Sequence, residues 1–88
     1  MFYAYVLKSL KNARLYTGFT NDLRRRFKEH NDKEGGYYTS KNAPFELIFY
    51  EAYLNKQDAM KAEKFFKTGY GREVLNDKLK NYFNSIEK

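Results

Sequence analysis

The sequence predicts an α/β domain in which helices flank a three-stranded mixed sheet, in the order β-β-α-β-α-α. Two observations support this fold class. Two segments rich in aromatic and β-branched residues lie near the N-terminus, and a helical pattern separates them from a third such segment. The C-terminal third has helical periodicity throughout. With 88 residues and no linker or repeat, the chain is expected to form one domain over residues 1–88.

The first two strands are predicted to form a hairpin. Phe2–Leu10 and Leu15–Thr20 contain the residue types that strands favour, and residues 11–14 between them are turn-prone. Two strand-like segments joined by so short a connection are expected to pair in antiparallel fashion.

The middle of the chain is predicted to contain a helix and the third strand. Thr20 or Asn21 can serve as the N-cap of a helix that runs to about Lys33, and Gly35-Gly36 is expected to end it. Phe45–Tyr53 is predicted to be the third strand. Its continuous apolar character favours a central position in the sheet.

Two helices are predicted in the C-terminal third. Asn55 can cap a helix from Lys56 to about Thr68. Gly69 and Gly71 are expected to break this helix, because glycine is unfavourable inside helices. A final helix is predicted over approximately Arg72 to Phe83.

The composition favours a polyanionic partner. Seventeen lysines and arginines against eleven acidic residues give a net charge of +6, although charge alone does not distinguish DNA, RNA, anionic lipid and ordinary solubility. There is no cysteine, which excludes disulfides and Cys-based metal sites. No apolar run approaches the ~18 residues of a membrane span. The expected location is therefore the cytoplasm, with no membrane partner.

The hairpin places two tyrosines close to each other. If its strands pair with an odd register sum, for example with Ser9 opposite Arg14, then Tyr5 and Tyr16 are diagonal neighbours on one face and their hydroxyls can converge. The simpler alternative is that each is a core aromatic. Gly18 lacks a Cβ near the strand end, so that a backbone or ligand can approach it closely.

The first predicted helix carries a cation and an imidazole one turn apart. Leu23, Phe27 and His30 share one face, and Arg26 lies at its edge. Arg26 and His30 can therefore face the same phosphate. Alternatively, His30 is a boundary histidine and Arg26 pairs with Asp22.

A glutamate lies within the apolar stripe of the next predicted helix. Glu63 falls among the apolar residues of that stripe, which are Ala59, Ala62, Phe66 and Tyr70. An unpaired buried carboxylate is costly, so Glu63 requires a partner. The candidates are Arg26, Lys67 and a hard divalent cation.

Together these residues resemble the GIY-YIG endonuclease family. Tyr3-Ala4-Tyr5 and Tyr16-Thr17-Gly18 correspond to its two motifs, and Tyr5 and Tyr16 are eleven positions apart, within the spacing of ten or eleven typical of that family. The arginine and histidine of its first helix match Arg26 and His30, and its later glutamate matches Glu63.

The resemblance covers essentially the whole chain. It is nearest to the small stand-alone branch related to the N-terminal nuclease domain of the bacterial excision-repair incision subunit, and it implies a single GIY-YIG-type domain. The first motif is YAY rather than GIY, a variation common in that branch. The family's asparagine near the C-terminus has no secure counterpart, and both Asn76 and Asn81 remain open.

The resemblance implies a divalent-metal-dependent endonuclease that hydrolyses phosphodiester bonds. Glu63 would hold one Mg²⁺ or Mn²⁺, and Arg26 would stabilise charge on the phosphoryl group. Tyr16 would position or deprotonate the water, with Tyr5 and His30 in support. The absence of a second carboxylate beside Glu63 favours one metal over two.

The expected substrate is DNA, with RNA left open, in repair, recombination or the processing of structured nucleic acid. A partner protein could supply specificity. The main alternative is a catalytically inactive nucleic-acid-binding module, and a second is a protein-interaction domain whose surface is merely basic. Contacts to nucleic acid outside the catalytic residues are expected from Gly18, Arg24, Arg25, Lys28, Lys41, Lys67 and Arg72.

Overall fold

The computed structural model describes residues 1–32 and 41–86. The α/β class and three strands are confirmed, whereas the predicted end of the first helix at Gly35-Gly36 lies outside the described residues. No helix in these two ranges is long and apolar enough to cross a membrane. The elements of the described residues are β1 (Phe2–Ser9), β2 (Leu15–Thr20), α1 (Leu23–Asn31), β3 (Phe45–Tyr53), α2 (Lys56–Phe66), α3 (Gly69–Lys78) and α4 (Lys80–Ile86).

The sheet has the order β2-β1-β3, and both pairs of strands are antiparallel. The expectation of a mixed sheet is wrong, because β2 and β3 both begin beside the end of β1 and run back along it. The expected central position of β3 is also wrong. β1 occupies the centre, while Tyr50 of β3 is 53% exposed. An apolar run shows that a strand packs, but not which neighbours it has.

The hairpin has the odd register sum that was considered as one possibility. Tyr5 lies opposite Gly18 and Leu7 opposite Tyr16, so the two tyrosines are diagonal neighbours on the same face of the sheet. The backbone N–H of Ser9 donates to the carbonyl of Arg14 at 2.9 Å and closes the turn.

Two clusters of apolar side chains cover opposite faces of the sheet. On the first, called the α1 face, Tyr5, Leu7 and Phe45 are buried against α1. On the second, called the α2 face, the buried residues are Val6, Phe66 and Leu75. Because side chains alternate along a strand, neighbouring residues of β1 contribute to different faces.

The helix N-termini follow the chemistry of capping. Asp22, rather than Thr20 or Asn21, caps α1, and its Oδ1 accepts from the backbone N–H of Arg25 at 3.1 Å. The Thr20 hydroxyl instead accepts from the backbone N–H of Asp22. Asn55 caps α2, as predicted.

The two glycines expected to separate the C-terminal helices lie inside α3. Thr68 caps this helix by accepting from the backbone N–H of Gly71 at 2.9 Å. A Cβ on Gly71 would lie 1.8 Å from the carbonyl oxygen of Phe65, so glycine permits a close approach there. The single final helix predicted over approximately Arg72 to Phe83 is therefore two helices, α3, which begins at Gly69, and α4, which begins at Lys80. Tyr70, expected in the stripe of α2, is 69% exposed.

Candidate active site

A buried hydrogen bond joins the first tyrosine to the histidine of α1. Tyr5 and His30 are both buried, and Tyr5 Oη lies 2.9 Å from His30 Nε2. The imidazole also packs edge-on against the ring of Tyr16, with centroids 5.1 Å apart. His30 thus contacts both tyrosines of the hairpin.

Arg26 approaches the same hydroxyl from one turn earlier on α1. Its guanidinium hydrogen-bonds to Tyr5, and its Nη1 lies 3.2 Å from Oε1 of Glu29. The alternative pairing of Arg26 with Asp22 is not the one found, because Asp22 caps the helix. Since Tyr5 Oη accepts from Arg26, its own proton can be donated to His30 Nε2.

Burial controls the protonation of Tyr5 and His30. Desolvation raises the pKa of Tyr5 to about 12, although the hydrogen bond from Arg26 opposes this change. Desolvation and the charge of Arg26 lower the pKa of His30 to about 4. Both side chains are therefore neutral near pH 7, which suits them to hold a geometry rather than to exchange protons with solvent.

The Nδ1 atom of His30 is also buried, and within residues 1–32 and 41–86 it has no hydrogen-bond partner. If Nε2 accepts from Tyr5, Nδ1 carries the proton of the neutral ring. A buried donor without a partner is costly. Packing of the ring against Tyr16 and Phe45 offsets this cost.

Glu63 lies on α2, and its partner is Lys67. Lys67 Nζ is 2.9 Å from Glu63 Oε2, which selects one of the two basic partners considered from the sequence. The charge of Glu63 contributes to the raised pKa of Tyr5. The carboxylate is therefore within electrostatic range of the tyrosine, although α2 packs on the opposite face of the sheet.

Tyr5 contacts two of the other four candidate residues and is affected electrostatically by the remaining two. It hydrogen-bonds to Arg26 and His30, and the charges of Tyr16 and Glu63 both raise its pKa. Tyr5, Arg26, His30 and Tyr16 therefore meet on the α1 face, whereas Glu63 lies on the helix that packs on the opposite face and acts on the Tyr5 phenol through its charge.

Gly18 makes room for this phenol. It lies directly opposite Tyr5, and a Cβ on it would be 2.3 Å from Tyr5 Oη and 2.4 Å from Cζ. The close approach predicted at Gly18 therefore exists, but the approaching group is the Tyr5 ring rather than a backbone or a ligand.

Two surface depressions are each lined by one of the candidate catalytic residues. We call the first the Arg26 groove, and it is lined by Phe2, Phe19, Thr20, Asn21, Arg25, Arg26, Glu29 and Lys56. We call the second the Tyr16 cleft, and it is lined by Leu15, Tyr16, Thr17, Lys67 and Arg72. Each combines a candidate catalytic side chain with further cations, a combination that suits a phosphate backbone.

The basic residues expected to contact nucleic acid are divided among several surfaces. Arg25 lines the Arg26 groove, and Lys67 and Arg72 line the Tyr16 cleft. Arg24 lines a separate groove with Tyr3, Phe27 and Tyr50. Lys28 pairs with Asp32, and the exposed Lys41 accepts at its carbonyl from Lys11 Nζ at 3.4 Å.

Two residues near Arg26 were not anticipated. Lys56 lines the Arg26 groove from the start of α2, a placement that no local pattern indicates. Glu29 is the second, and its spacing of three residues from Arg26 on one helix could have revealed the pair. Asn76 and Asn81 are exposed, and neither lines the Arg26 groove or the Tyr16 cleft.

The carboxylate of Glu63 fits a loosely held hard cation rather than a closed metal cage. Its side chain is 20% exposed. In the described part of the chain, no group of three or more His, Cys, Asp or Glu residues is arranged to hold a metal. Mg²⁺ commonly binds through one or two carboxylates and keeps several waters, which is compatible with Glu63 as its single protein ligand.

Comparisons with known proteins found similarity over most of the chain. A family model described as the GIY-YIG catalytic domain matches residues 1–81. The UPF0213 protein YazA of Bacillus subtilis (strain 168) is 49% identical over 63 residues, which are 72% of this chain and 63% of that protein. A UPF0213 protein of Pediococcus acidilactici is 44% identical over 76 residues, covering 84% of this chain and 76% of that protein.

A solved structure is also similar. The solution NMR structure of the UPF0213 protein BH0048 from Bacillus halodurans matches with a TM-score of 0.53 and 35% identity. The match covers 88% of this chain and 84% of that one. The fold described above is therefore shared with a UPF0213 protein whose structure was determined experimentally.

Proposed function

The chain belongs to the GIY-YIG catalytic domain family, and on that premise we propose that it is a divalent-metal-dependent endonuclease that hydrolyses phosphodiester bonds in DNA. The observation that carries the proposal is the position of Tyr5. Its hydroxyl bonds to Arg26 and His30, and its pKa responds to Tyr16 and Glu63. Tyr5 itself is buried, so a phosphate would be bound by the partly exposed Arg26 and would approach Tyr16, which packs on His30.

The side chains divide the work by their exposure and charge. Arg26 donates to the phosphoryl oxygens, because its planar guanidinium suits a phosphate and Glu29 holds it in place. Tyr16 is half-buried and lines an open cleft, so it can reach and orient the attacking water. Tyr5 and His30 are buried and neutral, and they position Arg26 and Tyr16.

Glu63 would hold the metal ion, which is Mg²⁺ or Mn²⁺ in this proposal. When bound, such an ion neutralises phosphate charge and makes a coordinated water more acidic. Glu63 is a partly exposed carboxylate, and within residues 1–32 and 41–86 it belongs to no group of three or more metal-ligating side chains, which supports a one-metal scheme over a two-metal one.

The substrate backbone would lie across the Arg26 groove and the Tyr16 cleft. Arg25 and Lys56 supply charge in the groove, and Lys67 and Arg72 supply it in the cleft. Contacts of this kind are independent of sequence, so binding should weaken steeply as salt is added. Preference for one nucleic-acid structure would come from its shape or from a partner protein.

The test is cleavage of a panel of plasmid, branched, single-stranded and RNA substrates with Mg²⁺ and with Mn²⁺. We expect nicking or cutting of DNA, and we expect Glu63→Gln, Tyr16→Phe and Arg26→Ala each to lower the rate by about 100-fold or more. Glu73→Gln on the exposed side of α3 is the matched control and should cut like the parent.

Circular dichroism would establish that each variant remains folded. A folded Glu63→Gln protein that cleaves as fast as the parent would overturn the mechanism. A chain that binds nucleic acid equally well with and without Glu63, and cuts with neither metal, would instead support the non-catalytic binding module.

A further inference from the structure

A lysine contacts the carboxylate to which the proposed function assigns the metal. Lys67 lies one turn after Glu63 at the C-terminal end of α2, and its Nζ is 2.9 Å from Glu63 Oε2. The two side chains differ in exposure, at 52% for Lys67 and 20% for Glu63. The lysine is the more exposed member of the pair, so a cation from solution would meet the carboxylate beside a positive charge.

Lys67 also lines the Tyr16 cleft, where it accompanies Arg72 and the candidate water-positioning tyrosine. An exposed pair at this spacing contributes little to stability by itself. The pair is distinctive because Glu63 belongs to the candidate metal site, whereas Lys67 lines the cleft in which the phosphate backbone is proposed to bind.

A divalent cation and the Lys67 ammonium repel each other when they share one carboxylate. With the two charges about 5 Å apart in water, the Coulomb repulsion corresponds to roughly a tenfold loss of metal affinity. A phosphate in the Tyr16 cleft would attract the ammonium and so relieve this repulsion. Lysine suits such an exchange because its charge is carried on a flexible stem.

On the basis of the proposed function, we propose that Lys67 is a positioning residue that couples metal binding to substrate binding. It competes with the divalent cation for Glu63, and a backbone phosphate of the nucleic acid draws it into the Tyr16 cleft. Metal and nucleic acid then bind cooperatively, and by linkage each raises the affinity for the other by the same factor.

The first experiment measures the binding of Mn²⁺ alone, from the electron paramagnetic resonance signal of the free ion. Lys67→Met should bind Mn²⁺ about tenfold more tightly than the parent. Lys64→Met removes an equal charge from an exposed position of the same helix and should change the affinity by less than about twofold. Lys67→Arg keeps the positive charge and should behave like the parent.

The second experiment measures cooperativity with a short labelled DNA duplex in a Tyr16→Phe background, which keeps the DNA intact. Fluorescence anisotropy gives its affinity with and without Mn²⁺. The enhancement by Mn²⁺ should be about tenfold smaller when Lys67→Met is added and unchanged when Lys64→Met is added. An equal enhancement in all three proteins would overturn the coupling.

Glu63→Gln separates this proposal from the one on which it rests. If that substitution leaves Mn²⁺ binding unchanged, the metal is not at Glu63 and the proposed mechanism fails. If Glu63→Gln abolishes binding while Lys67→Met and Lys64→Met have equal affinities, only the competition by Lys67 is overturned.

Discussion

The two faces of the sheet bury side chains of different chemistry. On the α2 face, the buried cluster of Val6, Phe66 and Leu75 is apolar, and the small polar residue Thr17, which pairs with Val6, is also buried. On the α1 face, the largest buried groups include the Tyr5 phenol and the His30 imidazole, which hydrogen-bond to each other. The same central strand supplies both faces through alternate residues.

Because of this difference, the α2 face mainly stabilises the fold, whereas the α1 face holds candidate catalytic side chains. Removing apolar surface from water stabilises the fold, and apolar side chains need no hydrogen-bond partner when they are buried. The α2 face can therefore hold the helices on the sheet. Burying polar groups is favourable only when each finds a partner, and His30 Nδ1 finds none in the described residues. The α1 face therefore contributes less per buried group, while it keeps Tyr5, Arg26 and His30 in one geometry.

The largest effect on stability is expected on the α2 face. Leu75→Ala leaves a cavity beneath α3 and should lower the free energy of unfolding by about 2–5 kcal/mol, as measured by urea denaturation. Cleavage per folded molecule should be unchanged under conditions in which the fold persists. Leu54→Ala removes the same atoms from an exposed position and serves as the control. Equal losses in the two variants would contradict the assigned core.

The α1 face should make stability depend on pH. Its His30 has a pKa of about 4 when folded, against about 6.5 for an unperturbed histidine. Between these values the unfolded chain binds more protons, so stability is fully retained above about pH 6.5 and falls by as much as about 3 kcal/mol as the pH drops to about 4.

Denaturation at pH 7 and pH 5 measures this dependence. The chain has a single histidine, so His30→Gln should flatten the change over this interval. If His30→Gln and the parent lose stability equally between these pH values, the buried imidazole is not its source.

A smaller effect is expected from filling the space beneath Tyr5. In Gly18→Ala, the added Cβ would lie 2.3 Å from Tyr5 Oη, so the phenol must move away from His30 and Arg26. We expect a loss of about 1–3 kcal/mol in stability and a fall in cleavage rate. Gly69→Ala has open space around its Cβ and should be neutral or slightly stabilising. A Gly18→Ala protein with parental stability and rate would contradict the role of this contact.

Local sequence patterns predicted most of the strands and helices but not the arrangement of the strands in the sheet. The antiparallel hairpin and the Asn55 cap were correct, because both depend on residues close together in the chain. The glycines at 69 and 71 were misassigned as a break, since the capping by Thr68 outweighed their low helix propensity. The antiparallel pairing of β3 with β1 and the edge position of β3 were missed, because strand order depends on contacts between distant segments.

The sequence alone determined the residue types of the candidate site, their spacing and the elements that carry them. Only the tertiary structure decided that Tyr5 would contact Arg26 and His30, that Glu63 would pair with Lys67, and that the histidine would be buried and neutral. The physical reason is how far apart along the chain the interacting residues lie. Turns, caps and periodicity arise within a few residues, whereas burial, partners and pKa values arise from segments that folding brings together.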